Sequence, residues 1–425
     1  TPGPGAARAF RLDNGLRVVH QPVPGSGLVG ICLAIDAGSR REAAGQSGIS
    51  NLTAEMLFKG TARREGLRTL WDLESLGIES GHASEPDLLR LALGAPAARC
   101  GEALDILADV TRHATFPEEA FGIESRKVLA RLRSIPDNLF ENTWRLFHAT
   151  LYKSHPYGNH SLGSPAEVER LTPADLRAFA GRWFTPGRMV LALVGDLGAD
   201  EAVRLASRHF GQGQPAGPAG GDEIALAAAA APTPPTAPLE ARDHRSKAQA
   251  MLCLGWLGPA IAHPDYMPMK VLNAVFGGGM GARLFRKVRN EASLAYMAQA
   301  VFPSRIDGGA FCAIVGTAPT AVGAVKDIVL AEVHDIAEHG IPDAERERAV
   351  AYIAGQFALD HAASLRQAHY LSWFELIGAG FAFDRAYLAE VRKVTGEDLR
   401  RVARTYLDPE RAVLAVTGPD PTAAG

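Results

Sequence analysis

The chain has 425 residues, 47% of them apolar, with 44 Lys plus Arg against 47 Asp plus Glu and a formal net charge of -3. That length and apolar content allow more than one buried core, and so even a charge balance excludes the positive field that draws proteins to nucleic acid or acidic membranes. No stretch approaches the roughly 18 to 20 unbroken apolar residues of a membrane helix; the alanine run from Ala227 to Ala231 is short and meets Pro232, Pro234 and Pro235.

The chain opens on Thr1, Pro2, Gly3, Pro4 and Gly5, the look of a processed precursor or of a trimmed chain, and export is an expectation under the first. Apolar runs at 28–35, 89–93 and 248–254 read as strands, and periodic stretches at 48–58, 119–134 and 266–275 read as helices. This mixture predicts an α+β fold of helices laid against sheets. Cys32, Cys253 and Cys312 fall inside strand-like runs without zinc-ribbon or redox spacing, and buried structural thiols are expected.

An internal repeat organises the whole. Residues 171–195 recur at 394–418 without a gap: Thr172, Asp175, Leu176, Arg177, Pro186, Arg188 and Gly195 return as Thr395, Asp398, Leu399, Arg400, Pro409, Arg411 and Gly418. Each copy reads as a threonine N-cap, an amphipathic helix, a proline break and an apolar strand. A fainter echo pairs 103–107 with 325–329. A period this long implies duplicated domains, not a solenoid. Two homologous α/β sandwich domains are therefore expected at 1–210 and 239–425. Residues 211–238, rich in Gly, Ala and Pro, cannot bury enough side chain to fold alone and form the flexible linker.

Gly38-Ser39-Arg40, then Gly48-Ile49-Ser50-Asn51-Leu52-Thr53-Ala54-Glu55-Met56-Leu57-Phe58-Lys59-Gly60-Thr61, resembles the start of the pitrilysin and insulinase-type zinc peptidases, which include the mitochondrial processing peptidase. The resemblance continues through Phe116-Pro117-Glu118-Glu119, His155-Pro156-Tyr157-Gly158, Leu162-Gly163 and Val194-Gly195-Asp196. Where that family has H-x-x-E-H, this chain has N-L-T-A-E. Two histidines one helical turn apart hold zinc, a distant carboxylate completes the set, and the intervening glutamate activates water. The resemblance puts Asn51 and Glu55 in place of the imidazoles, Ala54 in place of the base and Arg131 in place of the distant carboxylate. Glu124 matches a family acidic residue, but it lies roughly 10.5 Å along a helix from Arg131 and does not replace the lost ligand. No metal is expected in this chain, and Glu55 and Arg131 are expected to form an ion pair where ligands would have converged. The nearest imitation, His334 and His339, is five residues apart and cannot share one metal; His155 and His160 are expected to serve turns.

The second half carries Phe276-Gly277-Gly278-Gly279-Met280-Gly281-Ala282-Arg283-Leu284-Phe285-Arg286-Lys287-Val288-Arg289, then Ser293-Leu294-Ala295-Tyr296. No Gly-Lys-Ser/Thr closes a phosphate loop here, so a tight turn bordering a peptide channel is preferred. In the resembling family this pattern marks the substrate-binding face of the non-catalytic half, which implies substrate-binding roles for Gly277, Gly278, Gly279, Arg289 and Tyr296. Arg289 would offer a rigid donor fork and Tyr296 one directed hydroxyl to a peptide carbonyl gaining negative charge.

The resemblance thus implies the non-catalytic, substrate-binding subunit of a heterodimeric zinc metallopeptidase, inactive alone and forming half of a clamshell. Zinc would sit in a partner chain with the full motif, peptides would be the substrates, and the periplasm would be the compartment, with neither nucleic acid nor a membrane span involved. The rival is a catalytically inactive structural or binding protein of the same fold, like the respiratory-complex core subunits. A third reading is a stand-alone peptidase with unusual ligands.

Overall fold

A computed structural model describes residues 5–212 and 231–420, so most of the expected linker lies outside the described residues. Strands β1 (Arg8–Arg11), β2 (Arg17–Pro22), β3 (Leu28–Ile35), β4 (Glu79–Ser84), β5 (Leu89–Pro96) and β6 (Met189–Gly195) form one sheet in the order β1-β2-β6-β3-β5-β4. A second sheet contains β7 (Leu239–His244), β8 (Ala250–Leu257), β9 (Ala295–Val301), β10 (Ala310–Thr317) and β11 (Val413–Gly418), ordered β7-β11-β8-β10-β9. The helices used below are α1 (Ile49–Met56), α2 (Glu118–Ser134), α3 (Leu139–Tyr152), α4 (Pro173–Trp183), α5 (Tyr266–Gly277), α6 (Ser364–Leu376) and α7 (Gly396–Tyr406).

The two sheets repeat one design. The β2–β6 and β7–β11 pairs are parallel, and the pairs that follow them toward β4 and β9 are all antiparallel. The chain therefore folds as two homologous α+β domains, as the repeat predicts. Register makes the correspondence residue-specific: Cys32 faces Ala192 as Cys253 faces Ala415.

The repeated segments fold alike because they carry the same local signals. Thr172 accepts from the Asp175 amide while Asp175 accepts from the Thr172 amide, and Thr395 and Asp398 do the same. These reciprocal caps satisfy amide donors that a helix start leaves open, each worth about 1 kcal/mol. The strands that follow, β6 and β11, are buried at every residue, consistent with sequences that are apolar but for Thr417. Even the paired arginines keep a role: Arg177 donates to the Thr115 carbonyl and Arg400 to that of Glu338, just beyond or at the end of equivalent helices.

Each compact unit takes one segment from the other half of the sequence. The first combines Thr1–Leu132 and His160–Ala227 with Leu359–Arg385; the second combines Ala228–Ala358 and Ala386–Gly425 with Arg133–Asn159. Contiguous halves at 1–210 and 239–425 do not contain this exchange. Its effect is to cover an apolar face of each sheet. In the second unit α3 lies on β8 and β11, burying Phe147, Leu151 and Tyr152 with Cys253, Cys312 and Ala415. In the first unit α6 lies on β3 and β6, burying Ala368 and Leu371 with Cys32, Val190 and Ala192. All four cysteines are free and buried: Cys32, Cys253 and Cys312 in strands, as their apolar runs suggest, and Cys100 at the start of a helix.

Candidate functional site

Helix α1 starts at Gly48, which has no side chain to cap it; instead the Glu42 carboxylate accepts from the Ser50 amide at 3.0 Å. The other Glu42 oxygen is buried without a hydrogen-bond partner among the described residues, and burial pushes the carboxyl up to about 8. A folded-state value above the ordinary 4.5 means that the native state binds the proton more tightly than the unfolded chain. The associated stability is therefore complete below about pH 4.5 and is lost as pH rises toward 8. Glu42→Gln keeps an acceptor for the Ser50 amide and cannot ionise. It should match wild type in thermal melts at pH 4.5 and melt higher than wild type at pH 8; the same Tm difference at both pH values would contradict this.

Asn51, Ala54 and Glu55 stand on α1, with Asn51 and Glu55 one turn apart on one face. The Asn51 Nδ2 is buried with no hydrogen-bond partner among the described residues, and Ala54 is buried. Glu55 meets His82 of β4, whose Nε2 is 3.2 Å from Glu55 Oε2. This hydrogen bond, chiefly, holds the Glu55 carboxyl below its ordinary value, helped by Lys59 and Lys127. The expected Glu55–Arg131 ion pair is thus replaced by Glu55–His82. The reason is local: β4 runs beside α1 and brings an imidazole directly to the carboxylate, whereas Arg131 lies exposed near the end of α2. His82 also stacks on Phe58, with ring centroids 6.1 Å apart.

Glu124 on α2 is buried between two ammonium groups, Lys59 at 2.9 Å and Lys127 at 3.0 Å. Burial alone would raise its pKa, but these two partners outweigh burial and hold it below the ordinary range. The residues present do not fit zinc. An amide, a methyl and one carboxylate already bound to histidine replace the metal ligands and the base, and the remaining acid is neutralised by lysines. Among the described residues no group of three or more His, Cys, Asp or Glu could hold a metal ion. Ala54→Glu alone should restore no peptide hydrolysis, because it returns a base without a metal; zinc-dependent cleavage by that variant would show that metal had been held throughout.

The second unit presents a different kind of site. Helix α5 ends at Gly277, where a Cβ would stand 2.1 Å from the Ala300 amide nitrogen of β9. The first glycine of the run is thus bare because helix and strand touch. Gly279 continues at φ +86°, and Arg283 then anchors the next turn through Glu345 at 2.7 Å and Asp335 at 2.7 Å. Phe285–Glu291 is a π-helix, a rare form that recurs at functional sites. It carries Arg289.

Arg289 is exposed, and its guanidinium lies 4.8 Å from the Phe285 ring centroid. No ion pair or hydrogen bond occupies it among the described residues, so the stack orients the fork while leaving its donors available. Its neighbours differ, since Lys287 pairs with Glu291 at 2.9 Å and Arg286 faces Glu345 at 3.6 Å. From the π-helix the chain turns through Ser293 at φ +55°, and the Leu294 amide donates to the Val288 carbonyl at 2.9 Å. That bond closes a short loop between Arg289 and Tyr296. Tyr296 follows on β9, the outer strand of its sheet, and is 46% exposed.

His155, His160 and His339 serve structure. The His155 and His160 Nδ1 atoms accept from the amides of Tyr157 and Leu162, and His155 also faces Asp307 at 3.3 Å. His339 pairs with Asp335 one turn away at an exposed helix end. His82 escaped sequence reasoning because it acts through a contact that spacing does not reveal, whereas Phe285, four residues before Arg289 on the same helical segment, did leave a spacing signal. Gly316 of β10 did leave a signal: a glycine inside an apolar strand marks a bulge or a close approach.

A family model described as Insulinase (Peptidase family M16) matches residues 17–165, and one described as Peptidase M16 inactive domain matches residues 170–353. A protein of Streptomyces coelicolor named as an uncharacterized zinc protease is 27% identical over 430 residues, covering 98% of this chain and 90% of the relative. The uncharacterized zinc protease YmxG of Bacillus subtilis is 28% identical over 357 residues, covering 83% and 84% respectively. Among solved structures, a protease from Helicobacter pylori superposes with a TM-score of 0.90 at 21% identity, covering 98% of this chain and 100% of that one. A peptidase M16 inactive domain from Pseudomonas fluorescens gives 0.89 at 23% identity, covering 98% of each chain. These two likenesses establish the fold.

Proposed function

This chain belongs to the insulinase peptidase family, M16, and from that premise we propose that it is the non-catalytic, substrate-binding subunit of a heterodimeric zinc metallopeptidase. The observation that carries the reading is an asymmetry. On α1 the positions of ligand and base hold Asn51, Ala54 and Glu55, whereas the second unit offers an Arg289 with no ion pair or hydrogen bond among the described residues and an exposed Tyr296 on a specially shaped segment. Such a chain has donors for a peptide backbone and, at these α1 positions, no base or metal ligand set with which to activate water.

In this reading a partner chain with intact H-x-x-E-H supplies zinc and the attacking water. Arg289 and Tyr296 reach in trans to the carbonyl of the peptide or to its neighbouring backbone. A charged fork and a hydroxyl placed beforehand stabilise developing negative charge without reorganising during the reaction. The two chains would close around a chamber, and the periplasm is the proposed compartment, which cell fractionation tests.

The deciding experiment mixes the purified chain with candidate partners bearing the zinc motif and measures peptide hydrolysis against each chain alone. Activity only in one mixture supports the proposal. Stoichiometric zinc together with proteolysis by the isolated chain would overturn it. Recovery in a membrane complex, with no peptidase partner, would favour the inactive structural protein instead.

A further inference from the structure

We propose that Gly316 is a positioning residue for Tyr296, its missing side chain being the bed on which the phenol lies; the proposal rests on the substrate-binding role of Tyr296. Pairing between β9 and β10 runs regularly to Met297 opposite Gly316, then jumps to Ala295 opposite Thr317. Tyr296 is the extra residue at that jump. A bulge of this kind re-aims a side chain that a regular strand would point elsewhere.

The re-aimed ring lies across Gly316. A Cβ at Gly316 would stand 2.3 Å from Tyr296 Cζ, 2.5 Å from its hydroxyl oxygen and 2.6 Å from Cε1, all well inside van der Waals contact. Two bonds hold the strand entry in place. Thr317 Oγ1 donates to the Leu294 carbonyl at 2.5 Å, and the Leu294 amide reaches back to Val288 in the π-helix that bears Arg289.

The first unit supplies an internal control. Cys32 faces Ala92 as Cys253 faces Ile314, so Gly94 on β5 is the counterpart of Gly316 on β10. There the β4–β5 register is unbroken, Gly94 faces Glu79, and an added Cβ would meet nothing closer than 3.8 Å. The same glycine position is thus free in one sheet and covered by a tyrosine in the other.

Tyr296 is half-exposed on an outer strand, so its ring can swing away from an added methyl with little loss of packing. Gly316→Ala should therefore fold normally yet displace the hydroxyl, and this separates positioning from structural support. The test incorporates 3-fluorotyrosine into the full chain, assigns the Tyr296 19F signal with Tyr296→Phe, and measures kcat and KM on the reconstituted pair. Gly316→Ala is expected to shift the Tyr296 signal and lower kcat about ten-fold, as Tyr296→Phe does. The double variant should be no worse than Tyr296→Phe, and Gly94→Ala should change neither signal nor kcat.

An unmoved Tyr296 signal in Gly316→Ala, or a loss of kcat that multiplies with that of Tyr296→Phe, overturns the proposal while leaving the role of Tyr296 intact. Wild-type turnover in Tyr296→Phe overturns both. If Gly316→Ala does not fold, Gly316→Ala in the Tyr296→Ala background decides, because only a clash with the ring predicts that folding returns.

Discussion

Arg289→Ala and Tyr296→Phe should each lower turnover by a reconstituted pair about ten-fold or more, the scale of one lost hydrogen bond to a transition state. Both side chains are surface groups without an ion pair among the described residues, so neither change should move the stability of the chain by more than about 0.5 kcal/mol. The separation matters. Truncated groups that act only as the carbonyl gains charge reduce kcat and kcat/KM together, whereas groups that merely hold the peptide raise KM. Arg289→Lys should rescue little, because an ammonium cannot reproduce the planar fork or its stack on Phe285. Unchanged steady-state kinetics for both variants would contradict the assigned roles.

Asp36→Asn should destabilise the first unit by about 3 kcal/mol, the scale of breaking a buried ion pair. The Asp36 carboxylate is fully buried, takes Arg41 through two 2.8 Å hydrogen bonds and takes Arg188 at 2.8 Å. The same two guanidinium groups stack on Trp183, at 5.2 Å and 4.8 Å from its ring centroid. An amide leaves them with one acceptor and no countercharge. For a unit of this size the loss corresponds to roughly 6–12 °C in Tm, readable by thermal melts.

The repeat makes the contrast informative. Arg188 recurs as Arg411, but register places Leu257 where the first sheet has Asp36, and Arg411 instead faces Asp408 at 3.5 Å on the surface. Asp408→Asn should therefore change stability by less than about 0.5 kcal/mol, because an exposed pair gains little and the amide oxygen still accepts from Glu410. Equal losses for Asp36→Asn and Asp408→Asn would refute this account.

Much of the fold was legible in residue pattern. Threonine caps, the proline breaks and the apolar strands act locally, and both copies of the repeat adopt the helix and strand they predict. The residues standing at the motif positions of α1 were equally legible, because residue type at fixed helical spacing puts Asn51 and Glu55 on one face. The partner of Glu55 was not, because a carboxylate pairs with whichever charge the tertiary fold brings nearest, and His82 lies on a strand 27 residues away in sequence.

By itself, the sequence determined that two copies of one α+β design exist, that α1 lacks the donors for zinc, and that Arg289 and Tyr296 stand in a glycine-bounded segment. Only the tertiary structure decided that α3 and α6 cover the sheets of opposite halves, since amphipathicity records an apolar face but not which sheet will bury it. It also decided where the Tyr296 hydroxyl lies, through a one-residue bulge and a bare Gly316 on the neighbouring strand. Strand register is set by contacts distant in sequence, and a slip of one residue redirects every side chain beyond it.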